Sequence, residues 1–186
     1  VVEDQGESSL AKLIAVLAND DNPMKVPNLA FYKNGKLTFT ARESEHNDFS
    51  TDIVDWKQVS HQYLHPIFPV RGSRGCPYRC KFCNFANHRD FLIKSKDVLA
   101  AELASLSATG QVKIVRFTDG NLFLNRKNLE VFCETMIRVG GEVKWTSFIR
   151  ANSITRDNVS LIKEAGCILA QIGMESGDET MLARME

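Results

Sequence analysis

Three cysteines, Cys76, Cys80 and Cys83, fall within eight residues in the segment Arg74-Gly75-Cys76-Pro77-Tyr78-Arg79-Cys80-Lys81-Phe82-Cys83-Asn84-Phe85. The chain has five cysteines, an odd number, whereas a disulfide scaffold spreads an even number over a short secreted chain. Close thiols of this kind point to metal. Gly75 and Pro77 favour a turn that lets three thiolates converge. A closed zinc site or an electron-transfer iron–sulfur site wants four protein ligands. Three thiolates on a cubane cluster would instead leave one iron open to a substrate or cofactor. His88, further along, offers the competing Cys3His zinc tetrahedron and is otherwise a solvent-facing loop histidine. Seven basic residues (Arg71, Arg74, Arg79, Lys81, Arg89, Lys94, Lys96) surround the loop against Asp90 and Asp97. That excess favours thiolates and attracts an anionic cofactor, unless these side chains form an ordinary solvated face.

Further polar residues follow apolar runs. Val112 to Phe117 runs out into Thr118-Asp119-Gly120-Asn121, Val143 to Ile149 into Arg150, and Ile168 to Gly173 into Met174-Glu175-Ser176-Gly177. Asp119 and Gly120 suit close approach to a ligand or a plain turn. A guanidinium such as Arg150 matches a carboxylate in a bidentate fashion, or makes a structural ion pair. Glu175 near a helix start is also favourable with the helix dipole alone.

The elements that would position these groups alternate between strand-like and helix-like runs from residue 63 onward. Pro66 to Gly72 reads as a strand leading into the cysteine loop. Ser95 can cap a helix showing Leu99, Leu103 and Leu106, ended by Gly110. Asn125 can cap one showing Leu129, Phe132, Cys133, Met136 and Ile137, stopped by Gly140-Gly141. Thr155 or Asp157 starts a helix with Val159, Ile162 and Ala165, closed by Gly166, and Asp178 to Met185 begins another. Cys133 and Cys167 read as core residues. Repeated strand–helix units imply a parallel sheet or barrel, whose ligands sit at the C-terminal ends of the strands. The polar residues fall at those ends. Before residue 62 the chain is polar and turn-rich. Ser8 or Ser9 can cap a short helix with Leu10, Leu13, Ile14 and Leu17 on one face. Leu29 to Thr40 forms a hairpin around Asn34-Gly35, and Arg42 to Asp55 reads as a linker.

With cysteine spacing and strand ends together, the sequence resembles the radical S-adenosylmethionine (radical SAM) enzymes. Cys76, Cys80, Phe82 and Cys83 match their Cys-x3-Cys-x2-Cys motif with an aromatic before the last cysteine. The resemblance implies a partial (β/α) barrel, about four of six βα units, in residues 63–186. It implies a [4Fe-4S] cluster on Cys76, Cys80 and Cys83. Asp119, Gly120 and Asn121 match the strand end that binds the SAM amino group, and Arg150 matches a residue that meets its carboxylate. Gly173-Met174-Glu175-Ser176-Gly177 is similar to the stretch whose Glu and Ser line the ribose side. Phe82 lines the cofactor pocket. The implied reaction is reductive cleavage of SAM to a 5′-deoxyadenosyl radical, with electrons from a reductant such as a ferredoxin or flavodoxin. The alternative is a non-catalytic zinc or iron–sulfur binding module, which has no use for polar strand ends.

A second resemblance covers residues 1–62. Val1 to Glu7 followed by Leu10 and Leu13 is similar to the last strand and helix of a Rossmann-like, cobalamin-binding domain, and Pro27 to Thr40 fits the hairpin that follows it in the cobalamin-binding radical SAM group. The Asp-x-His-x-x-Gly ligand motif is absent from this sequence, so no residue is assigned to cobalamin. With cobalamin the implied outcome is methyl transfer or rearrangement; without it, a cobalamin-independent radical SAM enzyme. The four strands imply a piece of a longer enzyme, inactive alone, acting on a small molecule the sequence does not identify.

Composition sets outer bounds. With 44% hydrophobic residues the 186-residue chain can bury a core, and 23 basic against 23 acidic side chains leave no basic excess for nucleic acid or an anionic membrane. The longest aliphatic run, Leu13 to Ala18, is far short of the roughly 20 residues needed to span a bilayer. The start Val1-Val2-Glu3-Asp4 is not the basic opening of a signal peptide. A soluble, cytoplasmic protein is expected.

Overall fold

The structure, a computed structural model, describes residues 6–83, 91–139 and 143–185. The chain divides into two compact units, Val1–Asp48 and Phe49–Glu186. The sequence places this division near residue 62. It falls earlier because the segment after Phe49 packs into the second unit. The Trp56 ring meets Phe68 edge-on at 4.9 Å, and its Nε1 donates to Glu102 at 3.2 Å.

In the first unit, α1 (Glu7–Ala18) is followed by an antiparallel hairpin, β1 (Ala30–Lys33) and β2 (Lys36–Phe39). Asn34 and Gly35 take φ of 52° and 74°, the left-handed pair that a type I′ turn needs. The capping of α1 differs from expectation. Neither Ser8 nor Ser9 caps it; Gly6 is the N-cap and makes no side-chain cap bond. The carboxylate of Glu45, from the stretch read as a linker, accepts from the backbone N–H of Gly6 (3.0 Å), Ser8 (3.3 Å) and Ser9 (3.0 Å), and from the Ser9 hydroxyl. One carboxylate thus satisfies several orphan donors of the first helical turn. Ser9 is the buried residue of α1, and Leu10, Ile14 and Leu17 are exposed.

The second unit is built on a parallel four-stranded sheet in the order β3 (Ile67–Val70), β6 (Ile114–Phe117), β7 (Lys144–Phe148), β8 (Cys167–Gln171). Helices α2 (Lys96–Ser107), α3 (Arg126–Val139) and α4 (Val159–Glu164) connect the strands, and α5 (Glu179–Met185) follows β8. The Ser95 hydroxyl accepts from Val98 N, and Asn125 Oδ1 accepts from Asn128 N, so both expected caps form. Leu99, Leu103 and Leu106 of α2 and Leu129, Phe132, Cys133 and Met136 of α3 are buried; Ile137 and Val159 are exposed. Phe117, Phe123, Phe132 and Trp145 pack edge-to-face, with Trp145 Nε1 bound to the Ala165 carbonyl at 2.8 Å. Each such ring pair adds about 0.5–1.5 kcal/mol beyond its burial. Cys133 is core as expected, and burial pushes its thiol up to about 12. Cys167 is only partly buried. The edge strand β8 carries exposed Ile168 and Leu169 on its two faces.

One element was not legible in the sequence. Two-residue strands β4 (Ser73–Arg74) and β5 (Leu92–Ile93) pair antiparallel, Ser73 with Ile93 and Arg74 with Leu92. They clasp the two ends of the cysteine loop. Among the described residues no helix is long and apolar enough to cross a membrane.

Candidate functional site at the C-terminal edge of the sheet

Val70, Phe117 and Ser147 are register partners across β3, β6 and β7, and Ser147 pairs with Ala170 of β8. All four strands run the same way, so their four outgoing loops leave from one edge. The cysteine loop, the Asp119 stretch, Arg150 and the Glu175 stretch therefore share that edge, as the alternation of elements predicts.

Cys76, Cys80 and Cys83 are free, partly exposed thiols, and Cys83 N bonds to the Cys80 carbonyl at 3.0 Å. Among the described residues no three His, Cys, Asp or Glu side chains are gathered closely enough to hold a metal ion as they stand. Phe82 is 51% exposed. His88, Phe85 and Arg89 lie outside the described residues. Lys81 N is bonded to the Met185 carbonyl at 3.0 Å, which ties the loop to α5.

The base of the loop is held by buried charge. Lys94, counted by sequence among the cations around the loop, is 6% exposed and pairs with Glu102 of α2. Its backbone N–H donates to the Gly72 carbonyl at 2.9 Å. Phe49 lies under both Arg74 (4.9 Å) and Lys94 (5.3 Å), within cation–π reach. Lys94 is thus an internal anchor and no part of a solvated basic face.

Asp119 lies just past the end of β6 and faces inward. It is 3% exposed, and its carboxylate points back at the chain leaving β3. It accepts from Gly72 N at 3.0 and 3.3 Å, from Ser73 N, and from the Ser73 hydroxyl at 2.8 Å. Burial pushes its carboxyl above the usual range, opposed by the Ser73 hydroxyl and the two backbone donors. Its Oδ1 takes all the close donors, so the buried carboxylate is turned toward the start of the cysteine loop, and Oδ2 has only the longer Gly72 contact. Gly120 is exposed beside it. Asn121 is buried, and its Nδ2 has no hydrogen-bond partner among the described residues.

Arg150 is exposed and stacks its guanidinium on the Tyr78 ring of the cysteine loop at 3.9 Å. Sequence reasoning missed Tyr78, because an aromatic between two cysteines has no distinguishing pattern. A polar cavity of about 120 Å³ opens beside it, lined by Tyr78, Asn125, Arg126, Asn152, Ser153 and Thr155. Asn158 fixes the floor of the loop after β7, accepting from Thr155 N (2.8 Å) and donating to the Ser153 carbonyl (2.9 Å). Glu175 is an exposed residue with φ of 56°. A side chain held in this left-handed region costs about 1–2 kcal/mol, a strain typical of functional loops. Its carboxylate folds over Gly173, where a Cβ would overlap Oε1. Ser176 Oγ accepts from Asp178 N at 3.0 Å.

Comparison with known proteins agrees with this arrangement. Residues 70–186 match the family described as the radical SAM superfamily. The chain is 28% identical to the anaerobic magnesium-protoporphyrin IX monomethyl ester cyclase of Synechocystis sp., over 98% of this chain and 38% of that protein. It is 24% identical to an uncharacterized methyltransferase of Pyrococcus horikoshii, over 98% of this chain and 41% of that one. A hopanoid C-2 methylase of Rhodopseudomonas palustris is 28% identical over 62% of the chain and 23% of that protein. The chain thus spans about two-fifths of the length of the first two relatives. In fold it is similar to the radical SAM methyltransferase TsrM of Kitasatospora setae, solved with tryptophan and a SAM analogue: TM-score 0.75 at 16% identity, over 97% of this chain and 38% of that one. The same enzyme with cobalamin and a [4Fe-4S] cluster gives a TM-score of 0.70 at 15% identity, over 93% and 37%. With the family match covering well over half of its length, and a parallel sheet whose loops bring the cysteines to one edge, the chain belongs to the radical SAM superfamily.

Proposed function

We propose that the full-length protein is a radical SAM enzyme in which Cys76, Cys80 and Cys83 hold a [4Fe-4S] cluster and which uses cobalamin for methyl transfer or rearrangement of a small-molecule substrate. The observation that carries this reading is the cysteine loop itself. Three free, partly exposed thiols sit on one loop at the C-terminal edge of a parallel sheet, with the loop's two ends clasped by β4 and β5. The donor set fits a cluster: soft thiolates select iron–sulfur centres and leave one iron for a ligand. When bound, a reduced cluster and SAM supply one-electron cleavage of a sulfonium carbon–sulfur bond.

The chain's own residues bind and orient. Phe82 lines the cofactor pocket, Arg150 and Asn121 offer donors to the cofactor's acceptor atoms, and Glu175 and Ser176 offer acceptors on the β8 side. Tyr78, stacked under Arg150, holds that guanidinium over the loop. The cobalamin part of the reading is supported by the methylase relatives, by the cobalamin held in the similar TsrM structure, and by relatives that align with the first unit as well as the second. Residues 1–62 are then the end of a Rossmann-like domain with its hairpin and linker, and residues 63–186 the N-terminal part of a radical SAM core. A low-potential reductant such as a ferredoxin or flavodoxin supplies the electron.

The test is anaerobic reconstitution of the full-length protein with iron and sulfide. About four irons per chain and formation of 5′-deoxyadenosine on reduction with SAM are expected, both lost on Cys80→Ala. A colourless protein holding one zinc after reconstitution would overturn the reading, as would a cluster that forms equally well in Cys80→Ala.

A further inference from the structure

We propose that Asp119 is a positioning residue that sets the entry to the cysteine loop and is not a cofactor ligand; this rests on the reading that the loop holds the cluster. The chain must leave β3 at Val70 and begin β4 at Ser73, turning within two residues. At that turn the backbone passes close to buried side chains: a Cβ on Gly72 would lie 2.9 Å from Leu122 Cδ1, which would have to give way, and 3.6 Å from the Phe117 ring, in ordinary contact. Tight passage of this kind strips two successive N–H groups of water, and both must be satisfied from within.

Asp119 is the group that does so. Its Oδ1 lies 3.0 Å from Gly72 N and takes the Ser73 N–H as well, and its Oδ2 lies 3.3 Å from Gly72 N. The Ser73 hydroxyl stands 2.8 Å from Asp119 Oδ1 and 2.8 Å from the Asn121 carbonyl, so its single proton is shared between the two ends of the Asp119–Asn121 stretch. From the other side Lys94 N holds the Gly72 carbonyl. The end of β6 and the start of the cysteine loop are therefore one hydrogen-bonded piece.

Only three residue steps separate Ser73 from Cys76, and β4 ends at Arg74. Three residues reach at most about 10–11 Å, with little slack to absorb a shift at the base. A change at Asp119 therefore moves the first thiol. An interior carboxylate also suits this task better than an amide, since it can accept several donors at once without presenting a donor of its own to them.

The experiment uses the full-length protein, with Asp119→Ala, Asp119→Asn and Ser73→Ala. Before any iron is added, hydrogen–deuterium exchange of the segment 71–75 should speed up at least tenfold in Asp119→Ala. After anaerobic reconstitution, loss of iron to a chelator, measured well below the melting temperature, should be about tenfold faster in Asp119→Ala. It should be faster by a smaller factor in Ser73→Ala, with the line shape of the reduced cluster's paramagnetic resonance altered in both. A purely structural role would lower the melting point and leave that line shape alone. If Asp119 instead bound the amino group of SAM, Asp119→Asn would weaken SAM binding tenfold or more with exchange, chelator loss and line shape unchanged; that result overturns the proposal. If wild type takes up no cluster, the cluster reading fails and the proposal with it. If wild type takes up a cluster and both alanine variants hold it as firmly, the proposal alone fails. Should Asp119→Ala fail to fold, Ser73→Ala decides by the same readouts.

Discussion

The buried pair Lys94–Glu102 offers a measurement whose size follows from where the charges sit. Their side chains are 5% and 2% exposed. Taking each ion out of water costs several kcal/mol, which their mutual attraction, the Trp56 N–H on Glu102 and the Phe49 ring near Lys94 must offset. Lys94→Met keeps the volume of the stem but leaves Glu102 with Trp56 Nε1 as its remaining donor among the described residues. Breaking a buried pair in this way costs about 3–5 kcal/mol, and near 3 °C of melting temperature per kcal/mol for a unit of this size gives a fall of about 10–15 °C. Lys94→Met combined with Glu102→Met removes both charges and strands only the indole N–H, a loss of about 1–2 kcal/mol. The double variant should therefore be more stable than the single one by about 1–4 kcal/mol. Both tryptophans of this chain, Trp56 and Trp145, lie in the second unit, so indole fluorescence during urea unfolding follows the relevant transition. A single variant that loses under 1 kcal/mol would refute the reasoning, as would a double variant no better than the single one. Either result would mean that water reaches the pair and that it does not lock the base of the cysteine loop.

Other expectations concern the same edge and the first unit. Gly173→Ala must push the Glu175 carboxylate off its present seat, but only the end of a flexible side chain has to move. Melting should change by less than about 2 °C while SAM binding weakens about tenfold, the worth of a hydrogen bond to a charged group, and unchanged affinity in titration calorimetry would exclude Glu175 from the SAM pocket. Glu45 is held at about 2 against an ordinary 4.5, because the Ser9 hydroxyl, the Asn47 amide and the Ser9 and Ser8 N–H groups outweigh the upward push of burial. A lowered carboxyl contributes stability that is whole above about pH 4.5 and is lost as pH falls toward 2. The full shift corresponds to about 3 kcal/mol, discounted for solvent screening to about 1–2 kcal/mol. Thermal scans from pH 6 to pH 3 should show this slope for the first unit in wild type and not in Glu45→Gln. Asn121→Leu removes a buried amide donor without a partner, so it should stabilise the cofactor-free protein by about 1 kcal/mol and weaken SAM binding. A loss of stability in calorimetry would show that the amide has a partner after all.

What could be read from the sequence follows the range of the interaction concerned. Helices α2 and α3 were legible because cap and apolar stripe are local: Ser95 and Asn125 each reach an N–H three residues on. The hairpin was legible because Asn34-Gly35 dictates its own turn. Ile137 and Val159 were misjudged because periodicity marks a face and not the extent of what covers it. The β4–β5 ribbon escaped because two-residue strands leave no alternation to detect, and their partners are far apart in sequence. The same holds for Glu45, which caps a helix some 36–39 positions away, and for Lys94, whose partner Glu102 lies on the next helix and is not marked by any local pattern.

Asp119 shows where sequence reasoning about a site reaches its limit. A carboxylate after a strand can hold a ligand or hold the protein, and neither spacing nor residue type separates the two. The direction of its hydrogen bonds does. Asp119 Oδ1 takes two backbone donors and a hydroxyl from the chain leaving β3. Two residues on, Asn121 is as deeply buried yet keeps an amide donor without a partner among the described residues, a condition that costs about 1–3 kcal/mol in a folded protein. A group that bears such a cost at the open edge of a parallel sheet is a better candidate to touch an incoming molecule than one turned inward onto the backbone. Arg150 and Tyr78 extend the distinction: the guanidinium rests on an aromatic face that leaves its N–H edge available to an acceptor. The stretch from Asp119 to Asn121 thus divides: the acid is turned inward onto Gly72 and Ser73, and the Asn121 amide keeps its donor unspent.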